Sequence, residues 1–155
     1  MTTPPVLLDH TALAARLPHQ GTMCLLDAVL ACDAGSITCR ATGHHAADHP
    51  LRTPLGLLAP AGIEYAAQAM ALHAALQAAG GAAAPRPGFL ASVRGVRLHV
   101  TRLDDVPGAL QVQATRRADD GRQASYQFTL QAEDGRLLLE GRATVVLDTP
   151  LSVPA

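Results

Sequence analysis

The stretch that decides the fold is Pro60-Ala-Gly-Ile-Glu-Tyr-Ala-Ala-Gln-Ala-Met-Ala-Leu-His73, the longest helix-like segment of the chain. It is small and apolar on every side except for Glu64, Gln68 and His73. A helix apolar all round is one that its own domain encloses. A carboxylate placed on such a helix loses hydration at a cost of several kcal/mol, roughly, unless partners compensate. Glu64 is therefore a candidate general acid or base. A second reading stays open on the residues alone: Glu in a first helical turn also caps the positive end of the helix dipole.

Outward from this segment the pattern is extended. Pro60 suits the first turn, and Gly80-Gly81 is a stop signal. Before the helix, residues Thr11 to Leu17 read as a short helix ended by Pro18, Met23 to Ala31 as a strand, Asp33-Ala-Gly35 as a turn and Ser36 to Ala41 as a second strand. Residues Thr42 to Ala59, rich in His, Pro and Gly, read as an ordered functional loop. After the helix everything is β: Phe89 to Val100, Ala109 to Arg117, Gln123 to Ala132 and Leu137 to Leu147. The last three are separated by turns at Ala118-Asp-Asp-Gly121 and Glu133-Asp-Gly135, and Asp-Gly between alternating strands is a strong hairpin signal. Two strands, one long helix and four antiparallel strands predict an α+β architecture, with the sheet wrapped around one central helix.

Composition narrows the function. At 155 residues, the chain has the length of one ordinary domain. Its charged fraction is 16%, low against a typical value of about 25%, which points to surface hidden in an oligomer. The formal net charge of -1 supplies no global field for nucleic acid. All twelve basic residues are arginine, so a Schiff-base lysine is excluded. Cys24, Cys32 and Cys39 are odd in number, show no C-x-x-C spacing and read as reduced, small apolar core residues of a cytoplasmic protein. The N-terminus lacks the pattern of a signal peptide, and no segment reads as a membrane span.

Two motifs resemble one family. Leu17-Pro-His-Gln-Gly-Thr-Met-Cys-Leu-Leu-Asp27 is similar to the Leu-Pro-His-x-x-x-Met-x-Leu-Leu-Asp opening of hotdog-fold 3-hydroxyacyl-acyl-carrier-protein dehydratases. Gly62-Ile-Glu-Tyr-Ala-Ala-Gln68 is similar to their Glu-x-x-x-Gln at the start of the hotdog helix, and Pro107-Gly108 falls where the family turns into a strand. The helix motif looks closest to a divergent branch, the dehydratase subunits of aryl polyene clusters, which can pair as heterodimers. The resemblance covers the whole chain and implies a single hotdog domain over residues 1–155.

Dehydration of a 3-hydroxyacyl thioester needs a base for the α-proton, an acid for the departing hydroxyl and a donor for the developing enolate-like oxygen. By the resemblance, Glu64 is the catalytic carboxyl, Gln68 orients it, and the amides of Ala61 and Gly62 are the oxygen donors. No cofactor is implied. The implied partners are an acyl carrier protein with its phosphopantetheine-linked acyl chain, and a second hotdog subunit in a homodimer or heterodimer.

The histidine departs from the family pattern. The family places His-Phe-Pro-x-x-Pro with its His fourteen residues before the acid, which is Pro50 here. His49 lies one position earlier, in His49-Pro50-Leu51-Arg52-Thr53-Pro54, and is the first choice for the catalytic base; His44 and His45 are second. A zinc site built from His44, His45, Asp48 and His49 is disfavoured, because no helical His pair presents them together. His19 reads as a positioning contact, His73 as a packing or interface residue, and His99 as a strand residue facing solvent or a neighbouring strand. Arg94, Arg97 and Arg102 on one strand, with Arg116 and Arg117 on the next, form a candidate docking patch for an acidic carrier protein. Two rivals remain: an acyl thioesterase, and a non-catalytic or half-site subunit of a heterodimeric dehydratase.

Overall fold

The computed structural model describes residues 5–18, 21–77 and 88–147. His19, Gly80 and Gly81 lie outside the described residues. A short helix α1 (His10–Ala14) opens the chain, with Asp9 as its N-cap accepting the Ala12 N–H at 2.9 Å. Strands β1 (Ala28–Cys32) and β2 (Ser36–Ala41) follow, then helix α2 (Gly62–Gln77). Four further strands complete the order: β3 (Gly88–Leu98), β4 (Leu110–Asp119), β5 (Gln123–Ala132) and β6 (Leu137–Leu147).

All pairings are antiparallel, and the six strands form one sheet in the order β1-β2-β4-β5-β6-β3. Strand β5 shows why the sheet has an inner face: Ala124, Tyr126, Phe128, Leu130 and Ala132 are buried and alternate with polar residues. The inner face packs on α2, which buries Tyr65, Ala66, Ala69, Met70 and Leu72. Small residues let the sheet come close. A Cβ added to Gly62 would lie 2.5 Å from Leu139 Cδ2, so the start of α2 sits directly on strand β6. The α+β wrapped-helix architecture expected from the sequence is the one observed.

One boundary differs in an informative way. The strand expected from Met23 begins only at Ala28, although Cys24, Leu25 and Leu26 are buried. The backbone there pairs with a side chain instead. Gln68 accepts the Leu25 N–H at 2.9 Å and donates to the Met23 carbonyl at 2.7 Å, so a side-chain amide does the work of a neighbouring strand. A second difference concerns Arg102, which lies beyond the end of β3 and is not on one strand with Arg94 and Arg97. Its guanidinium is bound by Asp104, whose Oδ1 it meets at 3.0 Å.

Candidate active site

Glu64 occupies the first turn of α2 and is half-buried. Gln68, one turn on, is fully buried, and its Nε2 donates to Glu64 Oε1 at 3.1 Å. The same amide nitrogen holds Met23, so the carboxylate is tied to the opening segment through one side chain. This is the orienting geometry that the Glu-x-x-x-Gln spacing implies.

The loop between β2 and α2 is ordered around its histidines. A short 3-10 turn, Gly43–His45, points both imidazoles at one acceptor. His44 Nε2 and His45 Nε2 contact the Val106 carbonyl at 3.0 and 2.5 Å, and the two rings lie with centroids 3.9 Å apart. A carbonyl only accepts, so each ring carries its hydrogen on Nε2. His44 is fully buried and its Nδ1 finds no partner among the described residues. Burial lowers its pKa, with the Val106 contact opposing. Asp27, which also shifts His44, is engaged by the Thr42 hydroxyl.

His49 is buried and faces Tyr65, the residue after Glu64. The Leu51 N–H donates to His49 Nδ1 at 3.1 Å. The neutral ring therefore carries its hydrogen on Nε2 and donates it to the Tyr65 oxygen at 2.8 Å. Burial first, and then the Arg52 cation, lowers the His49 pKa and favours this neutral form. Burial, helped by the Asp27 charge, raises that of Tyr65. Both ring nitrogens of His49 are thus engaged within the chain. Tyr65 was not singled out from the sequence, although a phenol beside the acid in an alanine-rich helix was a visible signal.

The amides expected as oxygen donors are bonded within the chain. The Ala61 N–H bonds the Leu58 carbonyl at 3.0 Å, and the Gly62 N–H bonds the carbonyls of Ala59 and Pro60. The reason is local: the chain enters α2 through a 3-10 turn, Ala59–Ala61, whose tighter bonds consume the amides that a plain helix start leaves open. Pro60 has no N–H to offer.

The remaining singled-out residues are structural in their contacts. His73 is fully buried on α2, donates from Nε2 to the Asp33 carbonyl at 2.8 Å and accepts at Nδ1 from the Tyr126 hydroxyl at 2.7 Å. His99 meets Glu140 on the neighbouring strand at 2.9 Å. Arg116 pairs with Asp119 at 3.0 Å, and Arg117 donates to Gln127 at 2.6 Å. Asp104 joins Arg102, Arg52 at 3.3 Å and the Leu57 N–H at 3.0 Å, pinning the segment that precedes α2. Among the described residues no three His, Cys, Asp or Glu side chains are grouped to hold a metal ion, and no helix is long and apolar enough to cross a membrane. The three thiols are free; burial pushes that of Cys39 up to about 12, which leaves it no nucleophilic character at neutral pH.

Among solved structures, the dehydratase heterocomplex ApeI:P from Xenorhabdus doucetiae is similar over 88% of this chain and 91% of that one, at 23% identity and a TM-score of 0.77. Zebra fish thioesterase superfamily member 2 is similar over 90% of this chain and 95% of that one, at 14% identity and a TM-score of 0.61. These likenesses establish the hotdog fold. No curated protein matches the chain by sequence. Residues 11–152 match the ApeP-like family, described as ApeP dehydratase, and the chain belongs to that family.

Proposed function

We propose that this protein is a dehydratase subunit acting on 3-hydroxyacyl thioesters carried by acyl carrier protein, with Glu64 as its reactive carboxyl. The observation that carries the proposal is the Gln68–Glu64 contact at 3.1 Å at the start of the enclosed helix. It holds one carboxylate oxygen of a half-buried group. In the reaction the α-proton leaves as the C3–O bond breaks, and water and a 2-enoyl thioester form. Glu64 handles one of the two protons and an imidazole the other.

The imidazole comes from a second hotdog subunit. Support comes from His49, whose Nδ1 accepts the Leu51 N–H and whose Nε2–H is spent on Tyr65, so it offers no lone pair to a substrate proton. The ApeI:P structure, a dehydratase heterocomplex by its own description, fits such an arrangement. A second reading keeps His49 as the base in a homodimer, with the Tyr65 contact broken on assembly.

The test is reconstitution. The chain alone, and the chain coexpressed with a second hotdog dehydratase subunit, are offered 3-hydroxyacyl and saturated acyl thioesters on carrier protein. Enoyl product from the pair, abolished by Glu64→Gln, is the expected result. Enoyl product from the isolated chain, lost in His49→Ala, supports the homodimer. Free thiol from the saturated thioester identifies a thioesterase and overturns the proposal.

A further inference from the structure

The Ala61 and Gly62 amides already bond carbonyls at the 3-10 turn, which favours a donor from another group for the oxygen of a thioester. The dehydration transition state concentrates charge on the thioester carbonyl oxygen, and a fixed donor aimed there is usually a large share of the catalysis. Within the same helical turn as Glu64 stands one hydroxyl, that of Tyr65.

Its hydrogen is unclaimed. The Leu51 N–H occupies His49 Nδ1, which places the ring hydrogen on Nε2. His49 therefore donates to the Tyr65 oxygen, and the phenol is left to donate its own hydrogen to another group. Among the described residues His49 is the hydroxyl's one hydrogen-bond partner, and Tyr65 is fully buried. A buried O–H with no acceptor costs about 1–3 kcal/mol and is retained where a ligand supplies the acceptor. Burial and the Asp27 charge also keep the phenol protonated, so it stays a donor at working pH. A hydroxyl that receives a hydrogen bond from an imidazole is polarised into a stronger donor.

We infer that Tyr65 donates its hydroxyl hydrogen to the carbonyl oxygen of the bound acyl thioester, and that His49 is the positioning residue that aims and polarises it. The inference rests on the dehydratase reading, yet its first test is independent of it. Nitrogen-detected NMR of His49 in the full chain is expected to show the Nε2–H tautomer. An Nδ1–H tautomer overturns the inference, because the Tyr65 hydrogen would then be spent on Nε2.

The second test is Tyr65→Phe in the active assembly, which keeps the ring and removes the donor. kcat is expected to fall about 100-fold, with KM held within about threefold, the split of an interaction made mainly in the transition state. Wild-type kcat in Tyr65→Phe alongside an inactive Glu64→Gln overturns the Tyr65 assignment alone. Full activity in both variants overturns the Glu64 assignment and this inference together.

Discussion

Gln68 joins Glu64 to the backbone of the opening segment: one side-chain amide meets Glu64 Oε1 at 3.1 Å, the Met23 carbonyl at 2.7 Å and the Leu25 N–H at 2.9 Å. Glu64 and the irregular chain before β1 are thus held by the same group. Any change to Gln68 acts on stability and on the site at once, whereas a change to Glu64 separates them.

Glu64→Gln keeps the side-chain shape and an oxygen that accepts from Gln68. Turnover of a 3-hydroxyacyl thioester by the assembled enzyme should fall about 1,000-fold, the loss of one general acid–base group. The melting temperature should stay close to that of the native chain, and steady-state kinetics beside a thermal scan checks both.

Gln68→Ala strands the buried Leu25 N–H and the part-buried Met23 carbonyl. Each unmet group costs about 1–3 kcal/mol, so urea unfolding should show a loss of about 2–4 kcal/mol. A loss below about 0.5 kcal/mol, the range of an ordinary surface change, would contradict the strand-like role assigned to this amide.

Gly62→Ala pushes a methyl to within 2.5 Å of Leu139 Cδ2 and 3.1 Å of Leu130 Cδ2. The helix start must lift from β6 or the leucines must leave their rotamers, at about 1–3 kcal/mol. Because Glu64 is two residues on, activity should drop further than stability alone explains, which a comparison at matched folded fractions would reveal.

Acid sensitivity follows from the buried histidines. Burial lowers the pKa of His44, His49 and His73 below the usual 6.5. Above that value they are neutral whether the chain is folded or unfolded, and folding bears no proton penalty. As pH falls from 6.5 toward the depressed folded values, the unfolded chain takes up more protons, and stability declines. His73→Gln keeps a donor for the Asp33 carbonyl and an acceptor for the Tyr126 hydroxyl but cannot titrate. Its melting temperature should fall less than the native chain's between pH 7 and pH 5, roughly the span of this linkage. Equal slopes would remove His73 from the account.

The order of elements, the enclosed helix and the Asp-Gly hairpins were legible because each rests on local signals: period two in Gln123–Ala132, an all-round apolar helix, and turn chemistry. The Met23 region was not, since Leu25 and Leu26 have strand-like composition and only the distant Gln68 decides what their backbone meets. Glu64 and Gln68 were legible through their spacing. The bonds of the Ala61 and Gly62 amides were not legible, because Pro60 announces a helix start without saying that its first turn is 3-10. His49 was found as a residue, but its hydrogen-bond commitments depend on the conformation of Pro50 and Leu51, which no spacing encodes.

The strand that follows α2 lies at the opposite edge of the sheet from β1 and pairs with β6, the last of the described strands. During synthesis, therefore, β3 emerges from the ribosome with no neighbour to receive it, and it waits until about forty further residues have been made. Closure of the sheet is a late, long-range event, and such topologies fold slowly. An exposed β3 edge in that interval is a hazard for aggregation, one that early capture by another subunit would relieve.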